Sequence, residues 1–312
     1  MLLTAIILFA SSAWAQKEFK VAKTTGRLNL NINGAIIEGY NGNEIVFTTQ
    51  QSDEEVVDER AKGLQALSGS GFVDNTGLGL DVATNGQDIN VNVVGKKLNG
   101  ILTIKVPQNV KVYFSNTSNI YHDEIILKNL KNEIEVSATY NKIKLENNSG
   151  PMNIKSVYGS IDAIFEGEIK GPVSIISVYN YVDISLPAST KANVELGTSY
   201  GKLYAADQFK IAIDKNSGWE DRSGSETSSG KETNVKVNGV NVRTGTANNA
   251  VTINGKKSDE YTSILGFSGN GTVIMRGTSN LTIGERIKGT INGGGVDLIF
   301  KSNYKNVYLR QK

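Results

Sequence analysis

His122, in the stretch IYHDEI, is the only histidine of the chain. A Ser-His-Asp triad or a histidine-bearing zinc site would have to be built on it. Asp123 and Glu124 follow it directly, and consecutive side chains on a strand point to opposite faces, so the three do not converge. Paired carboxylates are the next chemistry to weigh. Asp162 and Asp183 each stand four residues after a tyrosine, Tyr158 and Tyr179, in successive copies of a repeat. Glycoside hydrolysis needs two carboxylates roughly 5 to 9.5 Å apart, and carboxylate oxygens also suit calcium. On neighbouring strands the two would point outward about 4.8 Å apart. Lys144 and Lys202 are assigned to the same column in the flanking copies, and a Lys-Asp-Asp-Lys column reads as surface charge compensation. No residue is therefore assigned a catalytic or cofactor-binding role, and Asp162 and Asp183 are the candidates for holding a metal.

Several other chemistries are excluded by residue type. The chain has no cysteine, which removes disulfides, thiolate metal sites, cysteine nucleophiles and a cysteine-borne lipid anchor. The triple glycine at 293–295 and the glycine-rich stretch 266–271 are not followed by helical patterns, so neither reads as a phosphate cradle. The sequons at Asn116, Asn147 and Asn280 matter only in a glycosylating host. With 33 basic and 31 acidic residues the net charge is +2, and no Lys/Arg run exceeds two. Nucleic-acid binding finds no support in that balance.

The elements that position these residues come from an internal repeat. IEVSATYNKIKL (134–145), MNIKSVYGSIDA (152–163), VSIISVYNYVDI (173–184) and VELGTSYGKLYA (194–205) share one pattern, and LIFKSNYKNVYL (298–309) is a fifth copy near the C-terminus. Each has alternating apolar residues, a small residue, then tyrosine two positions later, then alternating apolar residues again. The tyrosines are Tyr140, Tyr158, Tyr179, Tyr200 and Tyr304, the first four spaced by 18, 21 and 21 residues. The small position holds Ala138, Ser156, Ser177, Thr198 and Ser302. After the tyrosine come Asn141, Gly159, Asn180, Gly201 and Lys305. Four of these five tolerate a left-handed backbone, so a left-handed corner is expected there.

The apolar alternation slips by one residue across each corner. A slip of one would flip the buried face unless the chain turns at that point. A period near 20 residues then means stacked coils rather than a meander, whose turns would recur every 8–12 residues. Equal positions stack, and the five tyrosines form a structural ladder with hydroxyls at the surface. A sugar-stacking stripe is the functional alternative.

The remaining chain is also rich in short strand patterns. Pro107 and Pro187 belong at corners or strand ends, because proline cannot donate to a ladder. The stretch 56–67 reads as a possible helix, weakened by Gly63. The segment 214–234 is rich in Ser, Gly and Glu and reads as a mobile insertion loop. At the N-terminus, Leu2–Ala10 is apolar and Ala13-Trp14-Ala15 is a cleavage-site pattern, so 1–15 reads as a signal peptide without its basic start. That stretch is too short to span a bilayer, and no later one is long and apolar enough.

Taken together, GRLNLNINGAIIEGYNGNEIVF, DNTGLGLDV with its following IKVP, the Tyr-Asn/Gly repeats and the ending INGGGVDLIFKSNYKNVYLRQK make the chain resemble the bacterial putative-adhesin domains of unknown function found in Gram-negative surface and periplasmic proteins. The resemblance covers nearly all of the chain after residue 15. It implies a β-solenoid or β-roll and an adhesin-like role, with no catalytic motif to carry over. The expectation is thus an all-β, parallel β-solenoid with coils of about 20 residues, right-handed, spanning 16–312 as one domain. It would be exported to the periplasm or outer surface. There it would act without enzymatic activity or cofactor, binding an envelope or host glycan or protein. The alternatives are a polysaccharide-processing solenoid enzyme and a periplasmic accessory or sensor subunit.

Overall fold

A computed structural model describes residues 17–50, 59–98, 100–214 and 284–312, together with the backbone of four short strands between 233 and 257. The signal-peptide reading of 1–15, residues 215–232 of the insertion-loop reading, the glycine-rich 266–271 and Asn280 lie outside the described residues. Two compact units divide the chain: 1–218 with 283–312, and 219–282.

In chain order the first strands of the larger unit are β1 (Lys17–Val21), β2 (Gly26–Asn31), β3 (Ala35–Tyr40), β4 (Ile45–Gln50), β5 (Leu80–Asn85), β6 (Asp88–Val93) and β7 (Ile101–Pro107). Then follow β8 (Val110–Asn116), β9 (Ile125–Lys128), β10 (Ile134–Ala138), β11 (Ile143–Glu146), β12 (Met152–Ser156) and β13 (Ile161–Ile164). After these come β14 (Val173–Ser177), β15 (Val182–Leu186), β16 (Ala192–Thr198), β17 (Leu203–Ala205) and β18 (Ala212–Ile213). The smaller unit contains β19 (Thr233–Val237), β20 (Val240–Thr244), β21 (Val251–Ile253) and β22 (Lys256–Lys257), paired antiparallel in that order. The larger unit ends with β23 (Glu285–Ile291), β24 (Val296–Ser302) and β25 (Val307–Gln311).

The larger unit is all-β, with two large and mostly parallel sheets. A ten-stranded first sheet runs β1-β4-β7-β3-β9-β11-β13-β15-β25-β17, and an eleven-stranded second sheet runs β18-β23-β16-β24-β14-β12-β10-β8-β2-β6-β5. From β8 to β17 the chain alternates strictly between the sheets, so each repeat contributes one strand to each and forms a rung. Every side chain stacks on its equivalent in the next rung. Val112, Ile134, Met152, Val173, Leu298 and Val194 form one buried row in the second sheet. Ile125, Ile143, Ile161, Val182 and Val307 form another in the first. All are at most 4 % exposed. Inward aliphatics of both sheets thus meet in one continuous core, which parallel strands require because both ladder and face must leave water.

Spatial order departs from chain order at both ends. The first repeat strands, β2 and β3, lie inside β6 and β7 rather than at the edge. The last, β24 and β25, lie between β14/β15 and β16/β17. β23 pairs antiparallel on the other side of β16, so β23 and β24 straddle it. The triple glycine makes this crossing: Asn292, Gly293 and Gly294 are consecutively left-handed at φ 49°, 84° and 88°. A Cβ on Gly295 would overlap the Lys191 carbonyl. Glu195 on β16 then bonds both flanking strands, at 2.6 Å to Lys301 of β24 and at 2.8 and 3.4 Å to Arg286 and Lys288 of β23.

Two expectations are corrected. The tyrosine corners are not left-handed: no residue after a repeat tyrosine has positive φ, and within the repeats left-handed asparagines stand instead at Asn129 and Asn147, at the far ends of β9 and β11. Glycine after the tyrosine answers close approach instead, since a Cβ on Gly159 would overlap the Asn141 carbonyl oxygen. The stretch 56–67 is not a helix where it is described, only a single 3-10 turn at Glu59–Ala61. Gly63 there is left-handed at φ 79°, and Leu64 and Leu67 are each 74 % exposed. With no apolar face to bury, nothing stabilises a helix at that point.

The corner itself is held by a buried hydroxyl. Ser177 Oγ accepts the Asn180 N–H at 3.2 Å within its own turn and donates to the Gly159 carbonyl of the neighbouring rung at 2.8 Å. Ser177→Ala would leave both backbone groups buried without a partner and should cost about 1–3 kcal/mol; urea melts showing less than about 0.5 kcal/mol would refute the role.

Glu195 makes acid stability testable. Burial alone would raise its pKa, but hydrogen bonds and charges from Lys301 and Arg286 outweigh burial and hold it at about 2, against an ordinary 4.5. A lowered folded value means the unfolded chain takes the proton more readily. Its stabilisation is therefore complete above about pH 5 and lost as pH falls towards 2. Glu195→Gln should cost about 2–3 kcal/mol at pH 7 and should abolish that part of the acid-induced loss. An acid melt of the variant that parallels the parent's would contradict this.

Candidate functional site

The corner hydroxyls set the geometry on which the exposed aromatic rings depend. Ser156, Ser177, Ser302 and Thr198 each accept an N–H three residues on, at 2.9–3.2 Å. Each also donates to a carbonyl of the preceding rung in space, at 2.7–3.3 Å. Where Ala138 lacks a hydroxyl, Asn141 turns inward instead. Its amide donates to Asn33 O and Asp123 O and accepts from Asn116. The small residue keeps one corner geometry per rung, and the tyrosine two positions later is placed identically each time.

As a result Tyr140, Tyr158, Tyr179, Tyr304 and Tyr200 stand in one stack. Centroid spacings are 4.6, 4.8, 4.6 and 5.0 Å, with interplanar angles of 10–18°. His122 extends the stack beyond Tyr140 at 5.5 Å. Asp123 and Glu124 turn to Lys97 and Lys142 instead, so the three consecutive polar residues serve separate contacts. The rings lie outside the core: Tyr158, Tyr179 and Tyr304 are 41–44 % exposed and Tyr200 is 62 % exposed. Their faces are covered by one another, and their edges meet solvent. A sugar stacks on an open ring face, so along the stack only a terminal ring such as Tyr200 offers one.

The outer face of the first sheet carries a second cluster. Asp162 and Asp183 are register partners on β13 and β15. Lys144 precedes them, and Tyr308 and Tyr204 follow. Lys202 is not in this column: it lies two residues before Tyr204, outside the paired stretch of β17, and the tyrosine takes the place assigned to it. Asp183 is held at two points by Arg310, at 2.7 and 2.8 Å. The Arg310 guanidinium also lies 5.3 Å from the Tyr308 ring centroid. Asp162 meets the Tyr181 hydroxyl at 3.4 Å and Lys142 at 3.7 Å. Its pKa is raised by burial, opposed by Lys142 and reinforced by Asp183. A cation entering between the two acids would have to displace Arg310, so this arrangement does not suit calcium without rearrangement.

Tyr308 and Tyr204 stack at 5.3 Å and 8°, and Tyr181 meets Tyr308 edge-on at 6.4 Å. Tyr204 is 46 % exposed on the last strand of the sheet. Beside it lies an open groove of about 520 Å³ lined by Tyr204, Gln208, Tyr308, Arg310 and Lys312 among others, with Lys312 paired to Glu166. Sequence reading passed over Tyr181, Tyr204, Tyr308 and Arg310. A signal existed for two of them: Tyr204 and Tyr308 stand four residues after Tyr200 and Tyr304, the offset that singled out Asp162 and Asp183. The sequon residue Asn116 is buried at 8 % exposure, which closes it to modification, whereas Asn147 is exposed. Among the described residues no helix is long and apolar enough to cross a membrane.

No family model matches this chain, and no curated protein matches it. Among solved structures it is similar to a putative cell adhesion protein from Clostridium sporogenes, at 11 % identity over 95 % of this chain and 100 % of that one, with a TM-score of 0.37.

Proposed function

We propose that this chain is a non-enzymatic, adhesin-like or structural module of the bacterial cell envelope, wound as a right-handed β-solenoid and binding through its outer surface. Winding is supported by the strict alternation between two sheets from β8 to β17, with each strand parallel to and in register with its equivalents. Right-handedness follows from the strong preference of parallel crossovers. Export is supported by the apolar start and the Ala13-Trp14-Ala15 pattern, and leads to the periplasm or the outer surface.

The observation that carries the binding reading is Tyr204. It is a half-exposed ring on the terminal strand, backed by Tyr308 and bordered by a groove with Gln208 and Arg310. An aromatic face beside hydrogen-bonding side chains suits a pyranose ring of an envelope or host glycan. On a glycan array, Tyr204→Ala should weaken whatever the parent binds by about tenfold or more, with the melting temperature unchanged. Equal binding by parent and variant would remove Tyr204 from the site, and a parent that binds no glycan would leave only a protein partner.

One observation favours a second reading, a polysaccharide-processing enzyme. Asp162 and Asp183 stand side by side in contrasting surroundings, one pushed towards its protonated form and the other fixed by Arg310. That contrast is what an acid and a carboxylate partner need. If it is correct, Asp162→Asn with Asp183→Asn should eliminate the release of reducing or unsaturated ends from an envelope polysaccharide. Unchanged release from the double variant would dismiss it.

A further inference from the structure

We infer that the tyrosine stack is a site of oxidative cross-linking, in which adjacent tyrosines join as dityrosine and fasten the C-terminal rung in place. Tyr304 is the central case. It reaches the stack on the inserted strand pair β24/β25 and lies between Tyr179, at 4.6 Å, and Tyr200, at 5.0 Å. Their interplanar angles are 15° and 18°. Each ring is at least 41 % exposed, so an oxidant reaches its phenol edge. The chain has no cysteine to supply a disulfide, and a phenol-phenol bond is a covalent tie that the stacked residues allow.

The chemistry balances with a peroxide as oxidant, delivered by a haem peroxidase. One hydrogen atom leaves the phenol O–H of each of two neighbouring tyrosines. The unpaired electrons reside partly on the ring carbons ortho to oxygen, and two such carbons form the new C–C bond. The hydrogen on each coupled carbon then moves to its phenol oxygen as a proton, restoring both aromatic rings. The pair has lost two protons and two electrons. Hydrogen peroxide takes up these same two protons and two electrons, its O–O bond breaks, and it leaves as two molecules of water, so two tyrosines and one H2O2 give one dityrosine and two H2O. Fixed rings 4.6 and 5.0 Å apart give the coupling step a high effective concentration that loosely placed tyrosines lack.

The test treats the full chain with a haem peroxidase and hydrogen peroxide, then maps linked peptides by mass. The expected result is peptides joined with loss of two hydrogens, Tyr179 to Tyr304 and Tyr304 to Tyr200, at about tenfold or greater yield over pairs outside the stack. Oxidised chains should also melt higher than untreated ones. Tyr304→Phe keeps the stacked ring but removes the phenol. It should abolish both of those products and leave Tyr158–Tyr179 coupling intact. The proposal is overturned if coupling is dominated by Tyr113, Tyr121 or Tyr181, if only chain-to-chain products form, or if the same distribution appears in denaturant.

Discussion

A buried hydroxyl at four of the five tyrosine corners, replaced at the Tyr140 corner by the Asn141 amide, is the contact on which the rest of the larger unit depends. Parallel strands in two sheets must be joined by turns whose backbone groups are otherwise cut off from water, and each such group costs free energy when unpaired. Ser156, Ser177, Thr198 and Ser302 satisfy two at once, one in their own turn and one in the neighbouring rung. Because the second bond crosses between rungs, it fixes register as well as local shape. A one-residue slip would separate every hydroxyl from its carbonyl and turn the aliphatic rows outward. The exposed tyrosine stack follows from that constraint: it is what the corner register produces two residues further along.

The inserted rung β24/β25 gives the fold an order of assembly that the chain does not have. β16 is made before β24, yet β24 lies between β14 and β16. Contacts spanning more than a hundred residues must form before either flank is complete, and such closure is slow. Glu195 lies at the centre of this arrangement, tying β16 to the strands on both sides. Its depressed pKa reflects Lys301 and Arg286 holding the carboxylate charged against the cost of burial.

Strand content and direction were legible because the apolar alternation is regular and its phase slip falls at one place in every repeat. Asn-Gly at 85–86 likewise marks the turn of the antiparallel β5–β6 hairpin, closed by the Asn85↔Asp88 pair. Rung order was not legible. The fifth copy carries the same pattern as the other four, and equivalent copies fit equally well at any level of the stack. What selects its place are particular contacts, the Glu195 cluster and the glycine crossing at 293–295, that the pattern does not encode. The corner conformation was misread for a related reason: glycine serves left-handed turns and close approach alike, and Gly159 serves the second. The column holding Asp162 and Asp183 was legible as a column, but its continuation through Tyr308 and Tyr204 and its closure by Arg310 depend on the inserted strand β25.

The two sheets end differently, and that difference bears on function. Beyond β16 the second sheet is continued by β23 and β18 in antiparallel pairing, the kind of covering that blocks edge-to-edge association. The first sheet stops at β17, three residues long, followed by a single 3-10 turn at Asp207–Phe209. A short edge is itself a protection, because too few backbone groups are in line to recruit another strand. It also leaves the last side chains uncovered by a neighbour. Tyr200 stands just before that short strand and Tyr204 within it, and each is the final ring of its stack. The rungs before them bury aromatic faces against one another, so the site at which the fold offers an open ring is set by where the first sheet ends.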